Sequence, residues 1–190
     1  VAPASGTDYE LILPSGGRVV RGSIAGVGAA LRHLSVDGVE LTPGFDGRSP
    51  APFYCGKVLV PWPNRVRDGR WKHDGRTLQL DITDPEFNTA LHGVLCATEY
   101  RRVAHSTSSV TLAAPIRHRD GYPFDLETTV HYRLTADGMA ATHTIRNVGS
   151  TCAPVALGAH PFLSLGDVPV DRLTLTVNGD YHVDVDDRRG

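Results

Sequence analysis

The segment Leu126-Glu-Thr-Thr-Val-His-Tyr-Arg-Leu134 decides the fold class, because its side chains alternate between two kinds. Its even-numbered positions read Leu, Thr, Val, Tyr and Leu, whereas its odd-numbered positions read Glu, Thr, His and Arg. Successive side chains of a β-strand point to opposite faces of the sheet, so this period of two predicts a strand with one buried face.

Similar short runs occur before and after this segment, with turn signals between them. The turns are Asp-Gly or Asn-Gly pairs, which favour hairpins and begin at Asp37, Asp46, Asp68, Asp74, Asp120, Asp137 and Asn178. We predict further strands at Arg18–Ile24, Thr77–Ile82, Val110–Ala114, Met139–Val148 and Leu173–Val177, and at most one turn of helix at Ala29–Leu34. Strands spaced in this way predict an all-β fold, an antiparallel sandwich or barrel.

Length and composition predict one soluble domain. The chain has 190 residues, of which 41% are hydrophobic and 21% charged, and its net charge of −2 offers no basic field for nucleic acid or an anionic membrane. No apolar run approaches the ~20 residues of a membrane span. Three widely separated cysteines, without a C-x-x-C pair, predict a reducing cytoplasm and no zinc site.

One long segment does not fit the alternation of short strands and turns. Residues from Pro43 to Pro63 include five prolines and three glycines. Proline removes hydrogen-bond donors from a sheet, so this segment cannot be a central strand. A long loop of this kind is typically one that packs against or binds something.

The nucleotide-binding, serine-hydrolase and zinc-protease motifs are all absent. Four other residues are candidates for catalysis or binding: His92, His160, Asn64 and Arg65. His92 precedes a glycine that allows close approach, and Pro161 keeps His160 extended. The Asn64-Arg65 pair suits a hydroxyl-rich ligand, although Arg65 could instead pair with a structural carboxylate such as Asp68 or Asp84. Trp62 and Trp71 could stack on a sugar, with core packing as the alternative.

These residues resemble the aldose 1-epimerase (galactose mutarotase) family. The matching segments occur in the family's order: Pro61-Trp-Pro-Asn-Arg-Val-Arg-Asp-Gly-Arg70, Leu91-His-Gly93, Arg119-Asp-Gly-Tyr-Pro-Phe124, Asn147-Val-Gly149 and Gly158-Ala-His-Pro-Phe162. The resemblance implies a large antiparallel β-sandwich that interconverts the α and β anomers of free aldohexoses, of the galactose or glucose type. Proton transfers suffice for this isomerase reaction, so no cofactor or metal is implied.

The resemblance also implies residue roles. His160 resembles the family's general acid at the ring oxygen, and His92 resembles its second catalytic histidine. Asn64 and Arg65 resemble the sugar-binding pair. In the family, the Glu that acts as the general base lies in the C-terminal third, and no part of this sequence matches that third. Residues 1–190 are therefore expected to form one β-sandwich domain that is the N-terminal part of a longer catalytic domain.

Two expectations follow from that difference in length. The chain alone should lack epimerase activity, and it should pair with a C-terminal fragment or with itself through an exposed sheet edge near Leu173–Val177 or Tyr181–Val185. One alternative function is a hexose-6-phosphate 1-epimerase of the same superfamily, for which Arg67, Arg70 and Arg101 supply cations. The other is a non-catalytic carbohydrate-binding β-sandwich.

Overall fold

The computed structural model describes residues 4–184, and their regular structure is almost entirely β-strand. The strands are β1 (Asp8–Ser15), β2 (Arg18–Ala25), β3 (Ala30–Val36), β4 (Val39–Glu40), β5 (Val58–Leu59), β6 (Arg65–Arg67), β7 (Arg70–His73), β8 (Arg76–Gln79), β9 (Thr89–Leu91), β10 (Arg101–His105), β11 (Ser109–Ile116), β12 (Leu126–Thr135), β13 (Gly138–Asn147) and β14 (Gly158–Ala159). Short 3₁₀ turns occur at Pro52–Tyr54 and Val170–Arg172. In this part of the chain, no helix is long and apolar enough to cross a membrane.

Two four-stranded antiparallel sheets form the body of the structure, in the orders β1-β2-β3-β4 and β10-β11-β12-β13. Each strand pairs with its neighbour in sequence, as expected where short turns join antiparallel strands. The predicted Asp-Gly turns at Asp37 and Asp137 connect β3 to β4 and β12 to β13. Strand β12 also contacts β1 and β2 across the two sheets.

The buried face of β12 confirms the prediction from its alternating sequence. Leu126, Val130 and Leu134 are each no more than 2% exposed, and they pack in one cluster with residues of β1, β2 and β11. The hydroxyl of Tyr132 on the same face donates to the carbonyl oxygen of Ala29 at 2.9 Å, which ties the two sheets together. The chain is therefore an antiparallel, all-β structure of the sandwich type.

Two local predictions in the first half of the chain need correction. Ala29–Leu34 does not form a helical turn, because Ala29 has a left-handed φ of 47° and the residues from Ala30 onward pair with β2 as β3. Pairing with a neighbouring strand overrides the short local pattern here. The strand predicted at Thr77–Ile82 ends earlier, at Gln79.

The prediction of a strand at Leu173–Val177 is wrong. These residues are irregular, and Leu175 and Val177 are 70% and 73% exposed. An alternating pattern forms a strand only where a partner supplies hydrogen bonds, and none within residues 4–184 pairs with this stretch. Tyr181–Asp184 are irregular too, and Val185 lies outside the described residues. Within the described residues, the Asn178-Gly179 pair consequently joins no strands.

Three two-stranded pairings lie beside the main sheets: β5 with β14, β6 with β9, and β7 with β8. A further bridge between Val60 and Gly93 joins the end of β5 to the end of β9. Strands β14, β5, β9 and β6 are thus linked in that order, although their positions in the sequence are far apart. This arrangement brings the candidate site residues together.

Candidate active site

Asn64 and His92 lie opposite each other at the junction of β6 and β9. Arg65 pairs with Leu91 in the ladder, so the residues just outside it also face each other. The backbone N–H of His92 donates to the carbonyl oxygen of Asn64 at 2.9 Å, and the backbone N–H of Asn64 donates to Nδ1 of His92 at 3.1 Å. Both residues have left-handed φ values, 58° and 60°. The short ladder therefore fixes the His92 ring.

The hydrogen bond from Asn64 determines which ring nitrogen of His92 carries the proton. Because Nδ1 accepts a hydrogen bond, a neutral His92 carries its proton on Nε2 and can donate from there. His92 is only 7% exposed. Burial, followed by the nearby charges of His160 and Arg65, lowers the pKa of His92 from 6.5 to about 4, against a smaller opposing effect of Asp84. His92 is consequently a neutral hydrogen-bond donor near pH 7.

Gly93 explains why the chain can bring His92 against β5. A Cβ atom at this position would lie 2.1 Å from the carbonyl oxygen of Val60, and the φ of Gly93 is +75°. Only glycine tolerates both conditions. The close approach predicted from the His92-Gly93 dipeptide is therefore confirmed.

His160 reaches the same place through β14. Its backbone N–H donates to the carbonyl oxygen of Lys57 at 3.0 Å, and its own carbonyl oxygen accepts from the N–H of Gly56 at 2.7 Å. The rings of His92 and His160 lie with their centroids 5.3 Å apart and their planes at 82°. The centroid of the His160 ring also lies 5.5 Å from that of the Phe162 ring. The fold thus brings together two histidines that lie 68 positions apart in the sequence.

Arg65 forms the ion pair with Asp84 that the sequence left open as an alternative. Its Nε lies 2.7 Å from Oδ2 of Asp84, and both side chains are less than a fifth exposed. The same oxygen accepts from the hydroxyl of Thr89 at 3.2 Å, and the guanidinium group lies over the Phe87 ring at 5.1 Å. Nε is one of five N–H donors in a guanidinium group, so this contact accounts for one of them. Asp68, the other carboxylate considered, accepts a hydrogen bond from Asn88.

Both tryptophans are half-buried, and their indole N–H groups have partners in the protein. Trp62 donates to the carbonyl oxygen of Ala90 at 3.3 Å, and Trp71 donates to that of Gly121 at 2.8 Å. Trp71 also stacks on Tyr122, with ring centroids 6.1 Å apart. Both tryptophans contact the core cluster, and both also line an open cavity of about 280 Å³.

Tyr54 is a neighbour of the site that sequence reasoning missed. Its ring centroid lies 4.7 Å from that of His92, with the planes at 72°. Burial and the nearby Cys96 and Asp84 raise the pKa of its hydroxyl. The only sequence feature that pointed to Tyr54 was the proline-rich loop from Pro43 to Pro63 in which it lies. That loop was expected to pack against or bind something, but the sequence did not single out any one of its residues.

The three arginines considered for a phosphate group lie on three different strands. Arg70 bonds Gln79 across the β7–β8 hairpin, and Arg101 is an exposed residue of strand β10. Arg67 belongs to β6 and is exposed. Among residues 4–184, no three His, Cys, Asp or Glu side chains are grouped so as to hold a metal ion.

The model of the family described as aldose 1-epimerase matches residues 11–190. The chain is 34% identical over 165 residues to the uncharacterized protein YihR of Escherichia coli (strain K12), a match that covers 85% of this chain and 54% of YihR. It is 33% identical over 122 residues to the uncharacterized protein YphB of the same organism, covering 64% of this chain and 40% of YphB. The chain thus spans about half the length of the curated relatives it matches.

Solved structures show the same fold. A GalM/aldose epimerase homologue from C. elegans superimposes with a TM-score of 0.69 at 19% identity, covering 84% of this chain and 51% of that one. A galactose mutarotase-like protein from Lactobacillus casei gives a TM-score of 0.65 at 21% identity, with 85% and 52% covered. With the match to the family model over nearly its whole length, the chain belongs to the aldose 1-epimerase family.

Proposed function

We propose that this protein is a mutarotase that interconverts the α and β anomers of free aldohexoses by opening the sugar ring. The observation that carries the proposal is the pairing of His92 and His160, whose ring centroids lie 5.3 Å apart beside Arg65. Ring opening requires an acid at the ring oxygen and a base at the anomeric hydroxyl, and histidine is the most common residue for such proton transfers.

We propose for each residue the role that the family resemblance implies. His160 donates its proton to the ring oxygen as the ring C–O bond breaks. His92, neutral with its proton on Nε2, donates a hydrogen bond to the same oxygen and stabilises the charge that develops there. Asn64 and Arg65 bind the sugar hydroxyls. The aldehyde then rotates about its C1–C2 bond and the ring closes on the other face, which returns both protons and leaves the protein unchanged.

The base is proposed to lie outside residues 4–184. Asp84 is the carboxylate whose charge acts on His92, but its Oδ2 already accepts hydrogen bonds from Arg65 and Thr89. An oxygen engaged in this way is a poor acceptor for the proton of an anomeric hydroxyl. We therefore infer that residues 1–190 supply the acid and binding part of a longer β-sandwich catalytic domain.

We also propose that the protein is cytoplasmic and that it has an apolar surface that binds a partner. The three cysteines are unpaired, which fits a reducing compartment. The segment from Val155 to Val183 exposes many large apolar side chains. We propose that a complementary fragment of the same fold covers them. Size-exclusion chromatography tests this, because a chain that stays monomeric and soluble at high concentration would contradict it.

Polarimetry with freshly dissolved α-D-glucose and α-D-galactose tests the activity. The chain alone should give little acceleration over buffer, whereas added formate should supply the missing base and restore it. His160→Ala should abolish that rescue, with kcat falling by roughly 10²–10⁴-fold and KM changing little. His118→Ala is the matched control, because His118 is exposed and belongs to no strand.

The alternatives give different results in the same experiment. A non-catalytic carbohydrate-binding sandwich would bind the sugars without acceleration, with or without formate. A hexose-6-phosphate epimerase would accelerate the phosphorylated sugar and leave the free sugars unaffected. Either result would contradict the proposed reaction.

A further inference from the structure

Tyr54 occupies a strained stretch of backbone at the candidate active site. Phe53 and Tyr54 have φ values of 47° and 60°, and within residues 4–184 no other two adjacent non-glycine residues share a left-handed conformation. Bulky residues rarely adopt this conformation, and strain of this kind tends to occur at functional sites. His92, whose ring touches that of Tyr54, is left-handed as well, with a φ of 60°.

The ring of Tyr54 is held by contacts with two residues. It meets the His92 ring edge-on, with centroids 4.7 Å apart. The Nζ of Lys57 lies 5.6 Å from the centroid of the Tyr54 ring, within the range of a cation–π interaction. Lys57 is itself only 6% exposed, and its Nζ donates to the carbonyl oxygen of Cys96 at 2.7 Å. The position of the Tyr54 ring is therefore well defined.

Tyr54 also borders open space on one side. A cavity of about 290 Å³ is lined by Tyr54, Trp62 and Gly93, with Asp81, Thr83 and Arg119 among the polar residues around it. Leu91 and Gly93, the two neighbours of His92 in the chain, both line this cavity, and Tyr54, which lines it too, contacts the His92 ring. Because Tyr54 is only half-buried, part of its side chain remains available to a ligand in that cavity.

We propose that Tyr54 is a substrate-contacting residue, whose aromatic ring packs against the C–H face of an aldohexose and holds the ring of His92 in place. This inference rests on the proposed function. A pyranose presents an apolar face of ring C–H groups, and an aromatic ring offers it a large apolar surface at a fixed position. The contact adds selection by ring face to the hydrogen bonds of Asn64 and Arg65, because sugars whose axial hydroxyls disrupt that face fit less well.

Tyr54→Gly tests the proposal, because glycine accepts the left-handed backbone while removing the ring. We expect the dissociation constants of D-glucose and D-galactose, measured by NMR titration, to rise at least tenfold. We also expect the pKa of His92, followed through its imidazole ¹H resonances, to rise from about 4 toward 6.5 as burial decreases. Tyr54→Phe keeps the ring and should match the wild type in both measurements.

Asp74→Gly is the matched control for the change to glycine. Asp74 has a φ of 48° and an exposed side chain in the turn between β7 and β8. It should leave sugar affinity and the pKa of His92 unchanged.

The proposal fails if Tyr54→Gly binds sugar as tightly as the wild type, or if Tyr54→Phe loses affinity as severely as Tyr54→Gly. The first result would show that the Tyr54 ring does not contact the sugar. The second would show that the hydroxyl of Tyr54, and not its ring, makes the contact. If the wild type binds neither sugar, the proposed function itself fails, and the pKa of His92 in Tyr54→Gly still reports whether the ring supports that histidine. An unchanged pKa there would overturn that part of the proposal independently.

Discussion

The described chain divides into two regions that differ in how they are held, residues 4–149 and residues 150–184. Every buried residue lies in the first region, and none lies in the second. The second region instead exposes large apolar side chains: Val155, Leu157, Leu163, Leu165, Val168, Val170, Leu175, Val177, Tyr181 and Val183. Nevertheless, the histidine pair has one member in each region, with His92 in the first and His160 in the second.

Backbone hydrogen bonds hold the second region against the first. The N–H groups of Ala156, Ser164 and Gly166 donate to carbonyl oxygens of the first region at 2.8, 3.0 and 2.8 Å. Each such bond contributes about 1 kcal/mol, whereas burying one large apolar side chain contributes roughly 1.5–3 kcal/mol. This comparison shows that His160 is held in place mainly by backbone hydrogen bonds, which open easily. Its neighbour His92 is held in place by the buried core.

The largest expected difference between the regions is in the effect of removing a leucine side chain. Leu112→Ala, at a fully buried position of β11, should lower the free energy of unfolding by about 2–5 kcal/mol. Leu175→Ala, at a position that is 70% exposed, should change it by no more than about 0.5 kcal/mol. Urea unfolding followed by circular dichroism measures both. Equal losses would show that the second region is packed in solution.

The pH dependence of stability should show the burial of His92. Its folded pKa of about 4 lies below the unfolded value of 6.5, so between these pH values the unfolded chain binds a proton that the folded chain does not. The contribution of His92 is therefore unchanged above pH 6.5, and stability falls as the pH drops from 6.5 to 4, by up to about 3 kcal/mol. Urea unfolding at pH 7, 6, 5 and 4 measures this slope.

His92→Asn supplies the control for that slope. Asparagine does not titrate and is among the residues that best tolerate a left-handed φ, so the backbone at position 92 is expected to keep its conformation. The decline between pH 6.5 and 4 should become shallower in this variant. An identical decline in both proteins would assign the pH dependence to other groups.

A smaller effect is expected at the ion pair of Arg65. Asp84→Asn removes the charge that faces Nε of Arg65 in a largely buried pair and should lower stability by about 1–3 kcal/mol. It should also weaken sugar binding, since it frees the guanidinium group to adopt other positions. Glu127→Gln is the matched control, because it breaks an exposed arginine–carboxylate pair with Arg146 and should have no measurable effect. Equal stability of the two variants would contradict the structural importance of Asp84.

The sequence predicted the first region much better than the second. The alternation in Leu126–Leu134 and the Asp-Gly turn after it correctly gave a strand and a hairpin, because both signals are local and their partner strands are present. Leu173–Val177 has the same alternation but no strand beside it among the described residues. Periodicity defines which face of a segment is apolar, but only a neighbouring strand makes that segment part of a sheet.

The candidate site depended on contacts that no sequence spacing reveals. His92 and Asn64 meet through the β6–β9 ladder, and His160 joins them through the β5–β14 pairing. Family resemblance identified these residues as a group, whereas residue chemistry alone left each of them as a separate candidate. The choice between ligand and ion pair at Arg65 was also open, because sequence spacing does not show that Asp84, 19 positions further along the chain, lies against its guanidinium group.

The smallest expected change in global stability, with a large local consequence, is at Gly158 in β14. A Cβ atom there would lie 2.7 Å from Cβ of Pro63, a rigid side chain, so Gly158→Ala should push β14 away from β5. Since β14 itself contains no buried residue, the free energy of unfolding should fall by about 1 kcal/mol or less. The amide of His160, which donates to Lys57, should however exchange its hydrogen at least tenfold faster, because local opening determines that rate. Gly179→Ala, in the same region but with only an ordinary contact at 3.8 Å, should leave the exchange of His160 unchanged. If Gly158→Ala also leaves it unchanged, the hydrogen bonds of β14 do not hold His160, and its place beside His92 must depend on the contact with Phe162.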